Sequence, residues 1–272
     1  MMPSLGSSDV SACTVLQTRD LIVRFGGVTA VDHVSIAIEA GVVTGVIGPN
    51  GAGKTTFIDA ISGLVRSTGE IEFNGRSIAR DRPHKRAQAG IGRTFQGLEL
   101  FDEFTVLENL LIPAESTRRY SFLRDLVYPK PDAASLSRAT EALARLGMEQ
   151  RASAMPSALS LGERKLVSIA RALAGQAKVL LLDEPAAGLN TTESSHLGRM
   201  LRDLAARGLT VVLVDHDMGL VLGVCDVINV LVFGELIACG SPAEIRADET
   251  VIDAYLGRSA NEPDGLKEAE PT

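Results

Sequence analysis

Basic residues are in deficit in this chain: 27 Lys and Arg stand against 34 Asp and Glu over 272 residues, a net charge of -7. A surface that tracks nucleic-acid phosphates needs the opposite balance, so nucleic acid is excluded as a general partner. Cysteine is scarce as well. Cys13, Cys225 and Cys239 are odd in number and irregularly spaced, which excludes a disulfide framework and a CxxC metal site and leaves reduced, mostly buried thiols in a cytosolic protein as the expectation. The first residues, MMPSLGSSDVSACTV, lack a basic segment followed by an apolar one, which argues against a secretion signal. No uninterrupted hydrophobic run spans a bilayer either: the longest apolar region, residues 209–233, is broken by Asp215, His216, Asp217 and Asp226. Each charge at a bilayer centre costs on the order of 3 kcal/mol, so any membrane role must come through a partner. Internal repeats and sustained heptads are absent too.

What is present suffices for a full core, since 45% of the residues are hydrophobic. Residues 16–38 and 69–78 read as β-rich runs turning at Phe25-Gly26-Gly27 and at Asn74-Gly75, the latter a strong hairpin signal. Residues 42–47 form a short apolar strand that enters a glycine-rich loop and then a helix near Thr55, the opening of a parallel α/β unit. Residues 179–182 and 210–214 are further buried strands, each followed by a helical stretch. The fold class expected is α/β, a doubly wound parallel sheet with an antiparallel β flank. Residues 105–151 are helical in pattern, broken at Pro113 and around Pro129 and Pro131, and about residues 97–173 are expected to form a helical subdomain inserted between core strands of a domain covering 14–257. Residues 258–272 read as a polar tail, expected to be disordered. The basic stretch 76–93, with Arg80, Arg82, Lys85 and Arg86, reads as a solvated helix face.

Five separated segments carry chemistry. GPNGAGKTT comprises Gly48, Pro49, Asn50, Gly51, Ala52, Gly53, Lys54, Thr55 and Thr56 and fits the P-loop pattern between a strand and a helix. Its glycines let backbone N–H groups turn toward phosphate oxygens, Lys54 reaches the β- and γ-phosphates, the Thr55 hydroxyl can ligate Mg²⁺, and the helix adds its positive end. Asp183 and Glu184 end an apolar strand, which delivers acids to the phosphate edge of a parallel sheet. Asp183 can hold Mg²⁺ through water, and Glu184 can orient and polarise the attacking water. Gln96, ending IGRTFQ, has a neutral amide suited to binding and releasing metal or water. The Leu- and Phe-rich segment 97–111 after it offers either subdomain core or a groove for a partner helix. His216 follows the strand TVVLVD and can reach a γ-phosphate and Glu184. In LSLGE, Ser160 and Gly162 open a helix and can contact phosphate, while Ser160 and Glu163 also make a capping box. A second phosphate site on a chain that already has a P-loop makes most sense across a subunit interface. His33, His84 and His196 lack such a context.

Taken in order, these segments resemble the ATP-binding cassette (ABC) ATPases over about residues 16–257. The resemblance implies a P-loop NTPase fold of RecA-like type, ATP and Mg²⁺ as cofactors, and stacking of Phe25 on adenine. Residues 187–190 would be the loop that crosses to the opposite subunit, with Asn190 where the family usually has Asp. Leu161 and Glu163 stand where the signature usually has Gly and Gln. FGGVTAVDHVS, GIGRTFQ, LDEPAAGLN, DHDM and VIDAYLG look more narrowly like the ATPase subunit of branched-chain amino-acid importers, with importers of urea or short amides sharing much of the text. That likeness implies a peripheral protein at the cytoplasmic face of the inner membrane. Its partners would be a second ATPase subunit, identical or paralogous, transmembrane permeases and, indirectly, a binding protein. A soluble non-transport ABC ATPase and a non-hydrolysing nucleotide-binding regulator are the rival readings.

Overall fold

The structure, a computed structural model, describes residues 14–94, 100–115 and 133–259. Two long antiparallel strands open the chain, Thr14–Phe25 (β1) and Val28–Glu39 (β2), joined by a glycine turn. Val43–Ile47 (β3) runs into residues 48–53 and the helix Lys54–Ser62 (α1). Thr68–Phe73 (β4) and Arg76–Ser77 (β5) form a hairpin. Its turn residues Asn74 and Gly75 both have positive φ, 50° and 72°, the backbone that an Asn-Gly pair tolerates best. These strands make an antiparallel sheet in the order β2-β1-β4-β5.

Pro83–Ala89 (α2) leads to the strand Ile91–Thr94 (β6). Val106–Glu115 (α3), Ala133–Arg145 (α4) and Leu161–Ala174 (α5) follow before the strand Val179–Asp183 (β7). These three helices pack on one another, with Val106, Leu110, Leu143 and Val167 buried among them. β6 and β7 are parallel neighbours, Ile91 beside Val179, so the helices are an excursion between adjacent strands. The chain continues through Thr191–Ala206 (α6), Thr210–Val214 (β8), Met218–Val224 (α7), Val227–Val232 (β9), Glu235–Gly240 (β10), Pro242–Ala247 (α8) and Glu249–Ser259 (α9). The second sheet has the order β10-β9-β3-β8-β7-β6, parallel except for β10.

Every residue of β3, β7 and β8 is buried, as expected for parallel strands covered on both faces. Alternate residues serve two cores. Val46, Leu181, Val212 and Val214 face α1 and the antiparallel sheet, whereas Ile47, Leu180, Leu182 and Leu213 face the helices. The carboxyl ends of β3, β7 and β8 meet at one edge, so Gly48, Glu184 and Asp215, each one residue beyond its strand, gather there.

Two expectations are corrected. The basic stretch is not a solvated helix face throughout: Arg86 is 3% exposed, and its guanidinium donates to the carbonyls of Ala60 and Ile61 (2.7 Å each), Asp81 (2.9 Å) and Ala79 (3.1 Å). Two of these carbonyls, Ala60 and Ile61, lie in the last turn of α1, so the guanidinium ties that helix end to the segment before α2. Nor are the thiols uniformly buried. Cys225 is buried and Cys239, on β10, is exposed. Among the described residues no helix is long and apolar enough to cross a membrane.

Candidate nucleotide site

The loop after β3 is clamped by close backbone approaches that only glycine permits. A Cβ on Gly48 would lie 1.9 Å from the Leu231 carbonyl oxygen, and one on Gly53 would lie 2.2 Å from that of Ala30. β9 and β2 thereby hold the loop between them. Ala52 is buried, its N–H donating to the Pro49 carbonyl at 3.1 Å. Asn50 and Gly51 are exposed at the crest, and Thr56 is half-buried in the first turn of α1. Lys54 curls back over the loop and donates to the carbonyls of Gly48 (2.7 Å) and Pro49 (3.0 Å). Phe25, at the end of β1, is 52% exposed and pairs with Val28, two residues before Ala30. Its hairpin therefore flanks the loop.

The edge acids come next. The Thr55 hydroxyl donates to Asp183 Oδ1 at 3.3 Å. Arg93, on β6, lies 3.4 Å from Asp183 Oδ2 and also pairs with Asp59 of α1. Burial is the main influence on the Asp183 carboxyl and pushes it above its ordinary range, with Arg93 and Thr55 opposing that shift. Glu184 has φ 48°, a left-handed backbone rare for a side chain of this kind. Its N–H donates to Val214 of β8 at 2.7 Å. His216 Nδ1 lies 3.8 Å from Glu184 Oε1, beyond hydrogen-bond reach. Asp215 between them is buried and accepts from the N–H groups of Ala186 (3.0 Å) and Asp217 (2.9 Å). Gln96 and residues 97–99 of the apolar segment lie outside the described residues.

Ser160 caps α5. Its hydroxyl accepts from Glu163 N–H at 3.2 Å, while Glu163 Oε2 accepts from Ser160 N–H at 2.8 Å. That N–H holds the Glu163 carboxyl below its ordinary range, and Arg151 pairs with the same carboxylate at 2.8 Å. Glu163 therefore completes a capping box, a role open to the Gln usual at this position. Asn190 plays the same part for α6, reciprocally bonded to Glu193 at 3.0 Å each way. Asn and Asp are equivalent helix caps, so Asn190 leaves this end of α6 intact. Leu161 leans on the loop before α6: a Cβ on Gly188 would sit 2.9 Å from its Cδ2. A cleft of ≈ 390 Å³ lies between the two helix starts and touches Ser160, Gly162, Glu193 and His196.

Residues 31–187 match the sequence profile of the ABC transporter family. The chain belongs to that family. As an ABC cassette it binds and hydrolyses ATP. Its last matched segment, residues 235–261, fits the profile described as branched-chain amino acid ATP-binding cassette transporter. The high-affinity branched-chain amino acid transport ATP-binding protein LivG of Salmonella typhimurium is 37% identical, over 90% of this chain and 98% of its own. The lipopolysaccharide export system ATP-binding protein LptB of Haemophilus influenzae is 35% identical with the same coverages. Among solved structures, the ADP conformation of MJ1267, an ATP-binding cassette of an ABC transporter, superposes with TM-score 0.80 at 33% identity, covering 90% and 99% of the two chains. A dimeric bacterial ABC transporter cassette, MJ0796, gives 0.70 at 26%, covering 84% and 98%.

The sequence reading overlooked three charged residues that the cassette brings to the edge. Arg93 was read within a solvated stretch, although it is a lone cation in the short strand IGRT. Asp215 shows in the sequence as a break in an apolar region and as part of DHDM, with no role of its own assigned to it. Lys165, inside the α5 pattern, gave no local signal, since its partner Glu184 is 19 residues away.

Proposed function

We propose that this chain is the ATP-hydrolysing subunit of an importer of branched-chain amino acids, peripheral at the cytoplasmic face of the inner membrane. The observation that carries the ATPase roles is the meeting, at one sheet edge, of the P-loop with Thr55 and Asp183 in mutual contact and Glu184 one residue beyond. Lys54 turns from its loop carbonyls to the β- and γ-phosphates, while loop N–H groups such as those of Gly51 and Gly53 and the start of α1 face the phosphate oxygens. A hydroxyl and a buried carboxylate 3.3 Å apart fit the oxygen-rich coordination of Mg²⁺, and Gln96 would complete it. Mg²⁺ held by Thr55 and Asp183 would neutralise phosphate charge. Glu184 orients the attacking water and takes its proton, and His216, whose Nδ1 lies 3.8 Å from Glu184 Oε1, moves in to bond Glu184 and the γ-phosphate. Phe25 stacks on the adenine.

Ser160 and Gly162 contact the γ-phosphate held by a second subunit, identical or paralogous. Two features support this: α5 begins in an ordered cap whose bonds take up the N–H groups of Ser160 and Glu163 but not that of Gly162, and the chain's own phosphate cradle is a separate loop. The helices between β6 and β7 form the subdomain that meets the permeases. Its docking groove is a cleft of ≈ 520 Å³ whose lining includes Ile91, Phe101, Ile112, Arg138 and Arg171. Phe101 of this lining meets the Phe104 ring at a tilt of 57°, centroids 5.9 Å apart, and both are half-exposed.

The branched-chain ligand rests on the residue 235–261 match and the LivG likeness. The test is ATP turnover by the complex reconstituted in vesicles with its permeases and binding protein. Leucine, isoleucine or valine is expected to stimulate hydrolysis. Stimulation by urea or a short amide instead would move the assignment to those importers, and failure of every such ligand would refute the importer reading.

A further inference from the structure

Glu184 sits in a backbone conformation that persists only where its surroundings over-determine it. Two of the bonds that hold it belong to the strand edge: its N–H donates to Val214 (2.7 Å) and its carbonyl accepts from Ala187 N–H (3.1 Å). A third comes from elsewhere. Lys165, in the second turn of α5, extends its ammonium to the Glu184 carbonyl oxygen at 3.3 Å. Its charge also faces Asp215 and the Glu184 carboxylate. Asp215 in turn holds Ala186 N–H, two residues past Glu184. The cation thus faces both carboxylates, and it comes from the helix whose first residues are the Ser160 cap.

We propose that Lys165 is a positioning residue for ATP hydrolysis, setting the backbone of Glu184 from the helix that carries the Ser160–Gly162 turn. The inference rests on the reading of Glu184 as the residue that orients water. Lys165 touches neither nucleotide nor water in this account; it ties the placement of α5 to the direction of the Glu184 side chain. A shift of α5 as its N-terminus engages phosphate is then felt at the hydrolytic carboxylate through one hydrogen bond, and a misplacement of about 1 Å there is enough to cost on the order of 10²-fold in rate.

The test uses the full-length chain in complex with its permeases. Lys165→Met is expected to lower kcat by about tenfold or more while leaving the KM for ATP within about twofold. Lys165→Arg, which restores a charged donor, is expected to recover most of the rate, a rescue that lost packing alone would not give. Should Lys165→Met fail to assemble, Lys165→Gln is judged by the same readings. An unchanged kcat, a loss carried by KM, or no recovery in Lys165→Arg would overturn the proposal. On a Glu184→Gln background Lys165→Met is expected to add no further loss in single-turnover hydrolysis, and an additive loss would overturn action through Glu184. Near-parental turnover by Glu184→Gln alone would instead refute the reading of Glu184, whatever Lys165→Met does.

Discussion

Asp183 meets two demands that oppose each other. Its place at the end of a fully buried strand brings it to Thr55 and the phosphate edge, and the same burial raises its carboxyl above the ordinary range. Its proton affinity is therefore higher in the folded chain than in the unfolded one. Below the ordinary carboxylate range both states are protonated and no penalty exists; as pH rises past that range and then past the raised value, ionisation costs the folded state stability in full. At neutral pH, Asp183→Asn is expected to unfold at a higher temperature than the parent, by about 2–4 °C for each kcal/mol recovered, and to lose Mg²⁺-dependent hydrolysis. The gain should vanish at pH 3. Thermal denaturation at both pH values checks this, and a lower unfolding temperature at neutral pH would show that the Arg93 contact outweighs burial.

At the scale of elements, α5 combines two roles in its first turn. Ser160 stabilises the helix as a cap, and the positive end of the helix beside it suits a phosphate. Aspartate caps a helix about as well as serine but repels phosphate. Ser160→Asp is therefore expected to keep its unfolding temperature within about 2 °C while losing about tenfold or more in ATP turnover. Parental turnover would make Ser160 a cap and nothing else. The elements also differ in how plainly the sequence announces them. β3, β7 and β8 are short, mostly apolar runs next to turn residues, and Asn74-Gly75 marks its hairpin outright. β6 is four residues with an arginine at its third position, so no period is established. β9 lies inside a longer apolar region, where neither its limits nor its partner can be read. The buried carbonyl contacts of Arg86 depend on α1 ending against α2, a fact of packing that a count of basic residues does not contain. Within the site, the P-loop and Asp183-Glu184 were legible because neighbouring residues do the work. Lys165 and Asp215 were not, because their contacts join separate elements.

Across the whole molecule, two cores share one parallel sheet. The α1 side, under the antiparallel sheet, fixes the P-loop; the helical side fixes α5 and the loop before α6. Lys165 bridges from the helical side to the edge they share. In the proposed importer, the P-loop on one side and the permease-facing helices on the other meet at Glu184. The claim on which the rest depends is that Glu184 activates the water that cleaves ATP. The direct measurement is ATP binding and hydrolysis by Glu184→Gln, full-length and in complex with the permeases. Nucleotide affinity is expected to stay within about threefold of the parent while turnover falls by about 10²-fold or more; turnover near the parental rate would contradict the account.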